Sequence, residues 1–338
     1  MNKVLGKKVV TIGGGHGGPV VLKGLFNYPV DLSAICSVFD SGGSTGLIRD
    51  EFGDALPSGD MRSCMEALSP HGKLTELLGH RFEGDGSSGP RIADHNLGNL
   101  ILLGAQQRWG MIDGITTISK ILQLRGKVFP VSTNIVHLFG ELSDGSIIRS
   151  ERNIDTRTLT DERLLQRVWL EPRAFICREA ADAIINADMI VIGPGDLFTS
   201  LIPNLLVEGI ADAISESNAT VVYVVNLMTK WAETRDYTAA DFAETLVQYD
   251  IGRDKLDVVL VNSSPIPSDL LRLYKDRERS IVPIVEGESI LRRLNFVSHC
   301  VVSEDVLSKV GLKNNLIRHD PAKLGYCLMR ILGEGKCQ

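Results

Sequence analysis

Residues 7–25, KKVVTIGGGHGGPVVLKGL, decide the fold of this chain. A β-branched run predicts a buried strand, five glycines surround His16, and an apolar helix pattern follows. Gly13, Gly15 and Gly18 satisfy G-x-G-x-x-G, the fingerprint of dinucleotide-binding loops. Glycines let the backbone approach a ligand closely, and the free N–H groups at the start of the helix face a phosphate. The stretch therefore predicts a phosphate loop, the alternative being a turn that only packs the helix on the strand.

Strand and helix patterns alternate along much of the chain. Val/Ile/Leu-rich runs, typical of buried parallel strands, lie at 8–12, 32–39, 188–192, 220–226, 257–262 and 296–302. Helical patterns lie at 19–27, 174–187, 203–217, 238–249 and 321–333, with further ones at 60–69, 96–108 (after Asp94, a candidate cap) and 111–123. This alternation predicts an α/β fold of the Rossmann-like, doubly wound type with a mainly parallel sheet.

The middle of the chain departs from this alternation. The segments KVFPVST and VHLFGELSDGSIIRSERNI have strand patterns, and Asp144-Gly145 is a favoured hairpin turn. We interpret 125–170 as an antiparallel part that lies against the main sheet, within an antiparallel and helical insertion at about 70–170. Segment 82–94 is rich in Gly and Ser, so we expect a mobile loop there. Because no long polar linker interrupts the sequence, residues 1–338 are predicted to form a single domain.

The composition excludes several classes of function. The 338 residues are 43% hydrophobic and 23% charged, as in average soluble proteins. Because 42 Asp and Glu outnumber 36 Lys and Arg, there is no basic surplus to attract nucleic acid or a membrane surface, and we expect neither as a partner. The first residues lack a signal-peptide pattern, and no run approaches about 18 apolar residues. The six cysteines show no metal-like spacing. We therefore expect a cytoplasmic protein.

A second glycine loop follows the second predicted strand, in SVFDSGGSTGLIRDEFG. Asp40 stands where dehydrogenases place the acidic residue that binds the ribose of NAD. The residues after it form the further loop: Ser41, Gly42, Gly43, Ser44, Thr45 and Gly46. A standard NAD site does not require such a loop, whose amides and hydroxyls suit another phosphate or a sugar. The pattern therefore counts against plain NAD binding.

Small and polar residues also follow the other predicted strands and precede one helix. They are Gly193, Pro194, Gly195 and Asp196, with Thr199 and Ser200 after them, then Asn226, then Asn262, Ser263 and Ser264, and, at the helix start, Gly59, Asp60 and Arg62. In open α/β sheets, ligands bind outside the carboxyl ends of the strands, where strand order reverses. These residues predict one long crevice with room for a nucleotide and a second group.

Charged residues near this crevice are candidates for catalytic and metal-binding roles. Asp40 and Asp60 are expected to hold Mg²⁺ through a bound pyrophosphate, although Asp60 can equally cap its helix. The fork of Arg62 matches phosphate oxygens, the alternative being a surface salt bridge. His95 is a candidate phosphate donor or general acid, or else a structural histidine at a helix start.

Three further side chains are candidate ligand contacts. Asn96 and Asn99 lie on the first turn of a predicted helix and are expected to point into the crevice, and His16 lies inside the first glycine loop. The sequence also lacks G-x-x-x-x-G-K-[ST], G-x-S-x-G and H-E-x-x-H. Their absence argues against a P-loop NTPase, the common serine hydrolases and zinc metalloproteases.

An ordered series of motifs extends over residues 8–325: IGGGHGG, FDSGGSTG, LPSGDMRSCMEAL, HNLGNL, GPGDLFTSLIPNLL, NLMTKWAETRDYTAADF and IRHD. The series resembles the superfamily of 2-phospho-L-lactate transferase (CofD-like), and more closely its bacterial gluconeogenesis-factor (YvcK-like) branch. The resemblance implies a Rossmann-like fold and a homodimer. The transferase branch moves a phospholactyl group from a guanosine diphosphate conjugate to a deazaflavin alcohol with Mg²⁺. The bacterial branch is linked to growth on gluconeogenic carbon sources and to cell shape, and it binds UDP-sugars.

The resemblance also implies a set of site residues. For phosphate and ribose these are Gly13, Gly14, Gly15, His16, Gly17, Asp40, Ser41, Gly42, Gly43, Ser44 and Gly46, with Gly59, Asp60 and Arg62 nearby. For the rest of the pocket they are His95, Asn96, Asn99, Gly193, Pro194, Gly195, Asp196, Ser200, Asn204, Asn226, the segment 233–237 with Tyr237, and, on the nucleotide-sugar side, Tyr274 and Arg318.

The chain departs from the branch at three of these motifs. His16 stands where the branch has Thr, and KWA at 230–232 stands where it has Q-P-G. Ser41 replaces the second Asp of D-D-G-G, so one candidate metal ligand is lost. These changes suggest a divergent member with its own ligand specificity.

Three functions follow from the sequence. The leading one is a regulatory protein that binds a nucleotide-sugar or a nucleoside diphosphate, because phosphate loops occur without an evident acid–base pair. The second is Mg²⁺-dependent phospholactyl transfer to a deazaflavin alcohol, with the metal on Asp40 or Asp60 and with Arg62 or His95 easing departure of the phosphate. The third is NAD(P) binding, which rests on the opening fingerprint and Asp40.

Overall fold

Ten strands form two sheets in the part of the chain that the structure, a computed structural model, describes: residues 6–15, 17–53, 58–83, 92–93, 95–251, 255–266, 295–299 and 317–334. The strands are β1 (Lys7–Gly13), β2 (Val30–Cys36), β3 (Lys127–Pro130), β4 (His137–Leu142), β5 (Ile147–Arg149), β6 (Leu165–Glu171), β7 (Met189–Ile192), β8 (Thr220–Val224), β9 (Val258–Asn262) and β10 (Asn295–His299). The main sheet has the order β3-β2-β1-β7-β8-β9-β10, and every neighbouring pair in it is parallel.

Helices connect these strands. In the same ranges they are α1 (Gly17–Leu25), α2 (Gly43–Phe52), α3 (Gly59–Leu68), α4 (Gly72–Gly79), α5 (Leu97–Trp109), α6 (Met111–Ile121), α7 (Glu151–Asp155), α8 (Arg178–Ile185), α9 (Ile202–Leu205), α10 (Ile210–Glu216), α11 (Trp231–Thr234), α12 (Ala239–Leu246) and α13 (Pro321–Glu334). A π-helical turn, Leu197–Leu201, precedes α9, and a second, Val247–Ile251, follows α12.

The middle strands of the main sheet are buried on both faces, which explains their continuous apolar sequences. Every residue of β7 (MIVI) and β8 (TVVYV) is buried. Helices α1, α3 and α13 cover one face, and α8, α10 and α12 cover the other. The predicted doubly wound α/β fold is therefore confirmed, with the six predicted strands observed as β1, β2, β7, β8, β9 and β10.

A second, antiparallel sheet has the order β5-β4-β6. Its β4–β5 hairpin turns at Asp144 and Gly145, where Gly145 has φ +81°, so the predicted turn is confirmed. The expected antiparallel part at 125–170 is wrong at its start, because β3 pairs in parallel with β2 at the edge of the main sheet. Val128 joins the main core, and Pro130, which has no N–H to donate, is tolerated on an edge strand.

One predicted helix and one predicted cap differ from the structure. The predicted helix 203–217 is divided into α9 and α10 by Gly209, whose φ of +95° is left-handed. The cap of α5 is Asn96, whose side chain accepts hydrogen bonds from the N–H groups of Gly98 and Asn99. The expected cap, Asp94, lies outside the described residues, as does most of the predicted loop 82–94.

No described helix is long and apolar enough to cross a membrane. The single domain over 1–338 and its insertion at about 70–170 stay predictions.

Candidate functional site

A crevice opens where the strand order of the main sheet reverses, between β1 and β7. The loops that follow these two strands meet at this edge of the sheet. A Cβ atom on Gly17 would overlap the carbonyl oxygen of Pro194, so the close approach of the loops requires glycine. This position is where open α/β sheets bind their ligands.

The crevice has two lobes, which share Gly15, Asp196 and Ser200. The β8 lobe, a cavity of about 180 Å³, is otherwise lined by Gly14, Gly17, Val20, Pro194, Gly195, Asn226, Leu227, Met228, Thr229, Lys230, Ile317, Arg318 and His319. The β2 lobe, about 350 Å³, is otherwise lined by Ser37, Asp40, Gly42, Gly43, Ser44, Thr45, Gly59, Asp60, Arg62, Ser63, Arg81, Asn99, Glu151, Asp155 and Thr199. Because small-molecule pockets commonly measure about 300–1,000 Å³, the two lobes together suit a ligand of nucleotide size.

The β8 lobe combines apolar side chains with a neutral histidine. Leu227 and Ile317 contribute apolar surface. The Nε2 atom of His319 lies 3.2 Å from the carbonyl oxygen of Val225, which can only accept, so Nε2 carries the proton and Nδ1 is an acceptor. Burial lowers the pKa of His319 to about 4. The lobe therefore offers an uncharged hydrogen-bonding group beside apolar surface at neutral pH.

Carboxylates dominate the β2 lobe. Asp40 Oδ1 accepts a hydrogen bond from the Gly42 N–H at 2.8 Å, and Asp60 Oδ1 accepts one from the Gly15 N–H at 2.7 Å. Burial and, after it, the neighbouring Asp40 carboxylate raise the pKa of Asp60 to about 7. Burial also raises the pKa of Asp40. The surroundings of the lobe thus favour the protonated form of Asp60.

A further carboxylate reaches the β2 lobe from the segment that carries the antiparallel sheet. Glu151, the first residue of α7, accepts a hydrogen bond from the Ser41 N–H at 3.3 Å, and the Arg152 N–H donates to Ser41 Oγ at 3.0 Å. Burial and, after it, Asp40 raise the pKa of Glu151 to about 7. Ser41 therefore ties the second glycine loop to α7.

Lys230 lies at the boundary between the two lobes. Its ammonium is 2.7 Å from Asp196 Oδ2 and 3.1 Å from Glu233 Oε1, and it also pairs with Asp155. The three carboxylates belong to separate segments: the loop after β7, helix α11 and helix α7. One lysine therefore joins three parts of the crevice wall.

Comparison with known proteins assigns the chain to a family. The family model of 2-phospho-L-lactate transferase CofD matches residues 9–298. The chain belongs to the CofD family. It is 39% identical over 336 residues to a gluconeogenesis factor of Halalkalibacterium halodurans, covering 98% of this chain and 97% of that protein. It is 37% identical over 330 residues to the gluconeogenesis factor of Bacillus subtilis, covering 97% and 98%.

A solved structure agrees with this assignment to the CofD family. A crystal structure of a Bacillus halodurans protein, 37% identical, matches with a TM-score of 0.85 over 96% of this chain and 99% of that one. The family resemblance inferred from the ordered motifs is therefore confirmed.

Most residues predicted for the CofD-family site lie in the one crevice. Those that line the β8 lobe are Gly14, Gly15, Gly17, Pro194, Gly195, Asp196, Ser200, Asn226 and Arg318. Those that line the β2 lobe are Asp40, Gly42, Gly43, Ser44, Gly59, Asp60, Arg62 and Asn99. Gly13 ends β1, Gly193 begins the loop after β7, and Gly46 lies in α2 against the carbonyl of Ser41. Their contacts with a ligand stay predictions.

Among these lining side chains, Arg62 and Asn226 also bond to neighbouring residues of the protein. The Nε of Arg62 donates to Asn99 Oδ1 at 3.0 Å, and its guanidinium pairs with Glu66 one turn along α3. The side chain of Asn226 accepts a hydrogen bond from the Gly195 N–H at 3.0 Å, which orients the loop after β7. Arg62 therefore both lines the β2 lobe and forms a salt bridge, which are the two roles that the sequence offered as alternatives.

Four predicted residues lie behind the lining and support it. His95 is 2% exposed, and its Nδ1 lies 3.4 Å from Ser44 Oγ. Asn96 caps α5, and the Asn204 side chain donates to the Ser200 carbonyl at 2.6 Å. Tyr237 packs edge-on against Phe198. His16 and Tyr274 lie outside the described residues.

Sequence reasoning missed the roles of Glu151, Asp155, Lys230 and His319. Glu151 and Asp155 belong to no motif, and more than 100 residues separate Glu151 from Ser41. Lys230 and His319 do belong to quoted motifs, NLMTKWAET and IRHD, which indicated the segments but not the contacts.

Proposed function

We propose that the protein is a regulatory protein that binds a nucleotide-sugar or a nucleoside diphosphate, and that it links this ligand to carbon metabolism and cell shape. The observation that carries the proposal is the two-lobed crevice across β1 and β7, half of it partly apolar and half of it acidic. The name of its relatives, gluconeogenesis factor, supports a role in carbon metabolism.

The chemistry of the lobes suggests how such a ligand lies. The β8 lobe, with Leu227, Ile317 and the neutral His319, suits a nucleoside. The shared boundary at Gly15 and Ser200 suits a diphosphate, because the glycine lets a phosphate approach the backbone and the Ser200 hydroxyl can donate to its oxygens. Carboxylates of the β2 lobe can accept hydrogen bonds from sugar hydroxyls.

Mg²⁺ is part of this proposal, held by Asp40 and Asp60. Each carboxylate uses Oδ1 to accept a backbone N–H, and the two lie close enough to raise the pKa of Asp60. A half-buried pair of carboxylates is an oxygen donor set of the kind that divalent cations prefer. Bound Mg²⁺ would neutralise part of the charge of a diphosphate beside these acids.

Calorimetric titration tests the ligand class. We expect saturable binding of at least one of UDP-N-acetylglucosamine, UDP-glucose and GDP in the presence of Mg²⁺. Asn226→Ala removes the hydrogen bond that holds the loop after β7, so it should weaken that binding. Asn186 is exposed and precedes β7, at the opposite end of the strands, so Asn186→Ala should leave the binding unchanged. Absence of binding for all three ligands would overturn the proposal. Binding of NADPH alone, followed by its fluorescence, would favour the NAD(P) interpretation instead.

A second candidate function, phospholactyl transfer, is favoured by the pKa of Asp60. The carboxylate of a group with a pKa of about 7, such as Asp60, can accept the proton of an alcohol whose oxygen attacks the phospholactyl phosphorus. The phosphorus–oxygen bond to the nucleotide breaks in that step, and GMP leaves. GMP release from a guanosine diphosphate conjugate in the presence of a deazaflavin alcohol tests it. Asp60→Asn should abolish the release, and no GMP from the wild-type protein would exclude this candidate.

A further inference from the structure

Lys230 is enclosed by acidic side chains although it lies at the crevice. Its side chain is 13% exposed, and its ammonium contacts Asp155, Asp196 and Glu233. An ammonium group has three N–H donors, and each of these carboxylates supplies one oxygen. The Lys230 ammonium therefore has three anionic partners inside the protein.

The carboxylates around Lys230 have the spacing of a cation site. One oxygen from each of Asp155, Asp196 and Glu233 lies within 4.8 Å of the others, an arrangement that suits a metal ion as well as an ammonium. Three carboxylates with one lysine leave two negative charges uncompensated by Lys230. Without the ammonium, all three charges would face one another, which strongly favours uptake of another cation.

Glu233 holds this arrangement in place. Its side chain is 1% exposed, Oε2 accepts the Phe198 N–H at 2.9 Å, and Oε1 accepts the Thr199 hydroxyl at 2.8 Å. Both oxygens are thus fixed by the π-helical turn after the loop that follows β7. The cluster is therefore a built feature of the fold, unlike a group of acids on a mobile surface.

We propose that Lys230 is an internal cation of the crevice, whose ammonium occupies a three-carboxylate site that would otherwise bind a divalent metal ion. Lys230 excludes metal from the boundary of the two lobes. It is a positioning residue, which acts through Asp155, Asp196 and Glu233. The proposal concerns the protein without nucleotide, so it does not depend on the ligand proposed above.

Mn²⁺ titration of the full chain, followed by electron paramagnetic resonance, tests the proposal. Lys230→Met removes the ammonium and keeps the length of the side chain, and we expect it to bind one more Mn²⁺ per chain than the wild-type protein. The double variant Lys230→Met, Asp196→Asn should lose the additional ion. Two control variants should retain the wild-type number of bound Mn²⁺ ions per chain. Lys230→Arg keeps the positive charge, and Lys23→Met removes an exposed lysine of α1. Equal Mn²⁺ binding by Lys230→Met and the wild-type protein would overturn the proposal.

A measurement on the wild-type protein covers the case in which Lys230→Met does not fold. The ¹⁵N resonance of the Lys230 ammonium, assigned by its loss in Lys230→Arg, should persist when Mg²⁺ is added to saturation. Loss of the hydrogen-bonded ammonium signal on addition of Mg²⁺ would mean that metal displaces the lysine, which contradicts the proposal.

Discussion

Replacement of Asp60 by asparagine should make the protein more stable above neutral pH while it weakens Mg²⁺ binding. The side-chain amide of the asparagine retains an oxygen that can accept the Gly15 N–H, which Asp60 accepts at 2.7 Å in the wild-type protein. The replacement removes a carboxylate that burial and Asp40 make costly to ionise. It therefore separates the charge of this side chain from its hydrogen bond.

The size of the effect follows from the pKa shift. The pKa of Asp60 rises from 3.8 in the unfolded chain to about 7 in the folded protein. The folded state therefore holds a proton that the unfolded state has lost between these values, so the free energy of unfolding falls as pH rises from about 4 to about 7. At 1.36 kcal/mol per pH unit, the full difference is about 4 kcal/mol. Above pH 7, Asp60→Asn should be more stable than the wild-type protein by up to about this amount.

Urea unfolding at a series of pH values from 4 to 9 measures the difference between the two proteins. We expect the gain of Asp60→Asn over the wild type to grow through the window from pH 4 to pH 7 and then to level off. Asp50→Asn, which removes an exposed carboxylate of α2, is the matched control and should stabilise the protein less than Asp60→Asn at pH 8. A constant difference between Asp60→Asn and wild type at pH 5 and pH 8 would refute the reasoning.

Three further substitutions test the packing and the lobes. Gly24→Ala should lower the free energy of unfolding by about 1–3 kcal/mol, because a Cβ atom there would overlap a carbonyl oxygen of α13. Gly104→Ala should raise the free energy of unfolding by about 0.5–1 kcal/mol, because Gly104 has open space around it in α5. Equal urea midpoints of the two variants would contradict this expectation. Gly17→Ala should push the loop after β1 away from Pro194 and weaken nucleotide binding at least about ten-fold in calorimetry; unchanged affinity would place the ligand elsewhere. His319→Phe keeps an aromatic ring but removes the Nδ1 acceptor, so it should weaken binding of a uridine or guanosine nucleotide by about ten-fold, roughly the 1–1.5 kcal/mol of one hydrogen bond; wild-type affinity would exclude a contact with that atom.

The fold could be predicted from sequence where a local pattern determines it. Residues 9–12 (VVTI) are mostly apolar because this part of β1 is buried on both faces, and β7 and β8 are buried in the same way. The partner of β3 could not be predicted in this way. A four-residue strand carries no signal for parallel or antiparallel pairing, which depends on the distant β2.

For the site residues, too, the sequence predicts what depends on a local pattern and misses what depends on contacts between distant segments. Glycine loops after strands are local in sequence, and the sheet topology brings their residues to one edge, so the sequence predicts Asp60 and Asp196 as neighbours of the crevice. The contacts of Glu151 and Lys230 depend on tertiary packing between segments that are far apart in the chain. The sequence alone shows Lys230 as a charged residue within a motif and Glu151 as a charged residue outside any motif, and it does not show their partners.

A crystal structure with UDP-N-acetylglucosamine and Mg²⁺ tests the central claim most directly. We expect density for the diphosphate between the loop after β1 and the loop after β7, near Gly15 and Ser200, with the nucleoside in the β8 lobe beside His319. A ligand bound outside both lobes, or a crevice without ligand density at a concentration that saturates binding in solution, would contradict it.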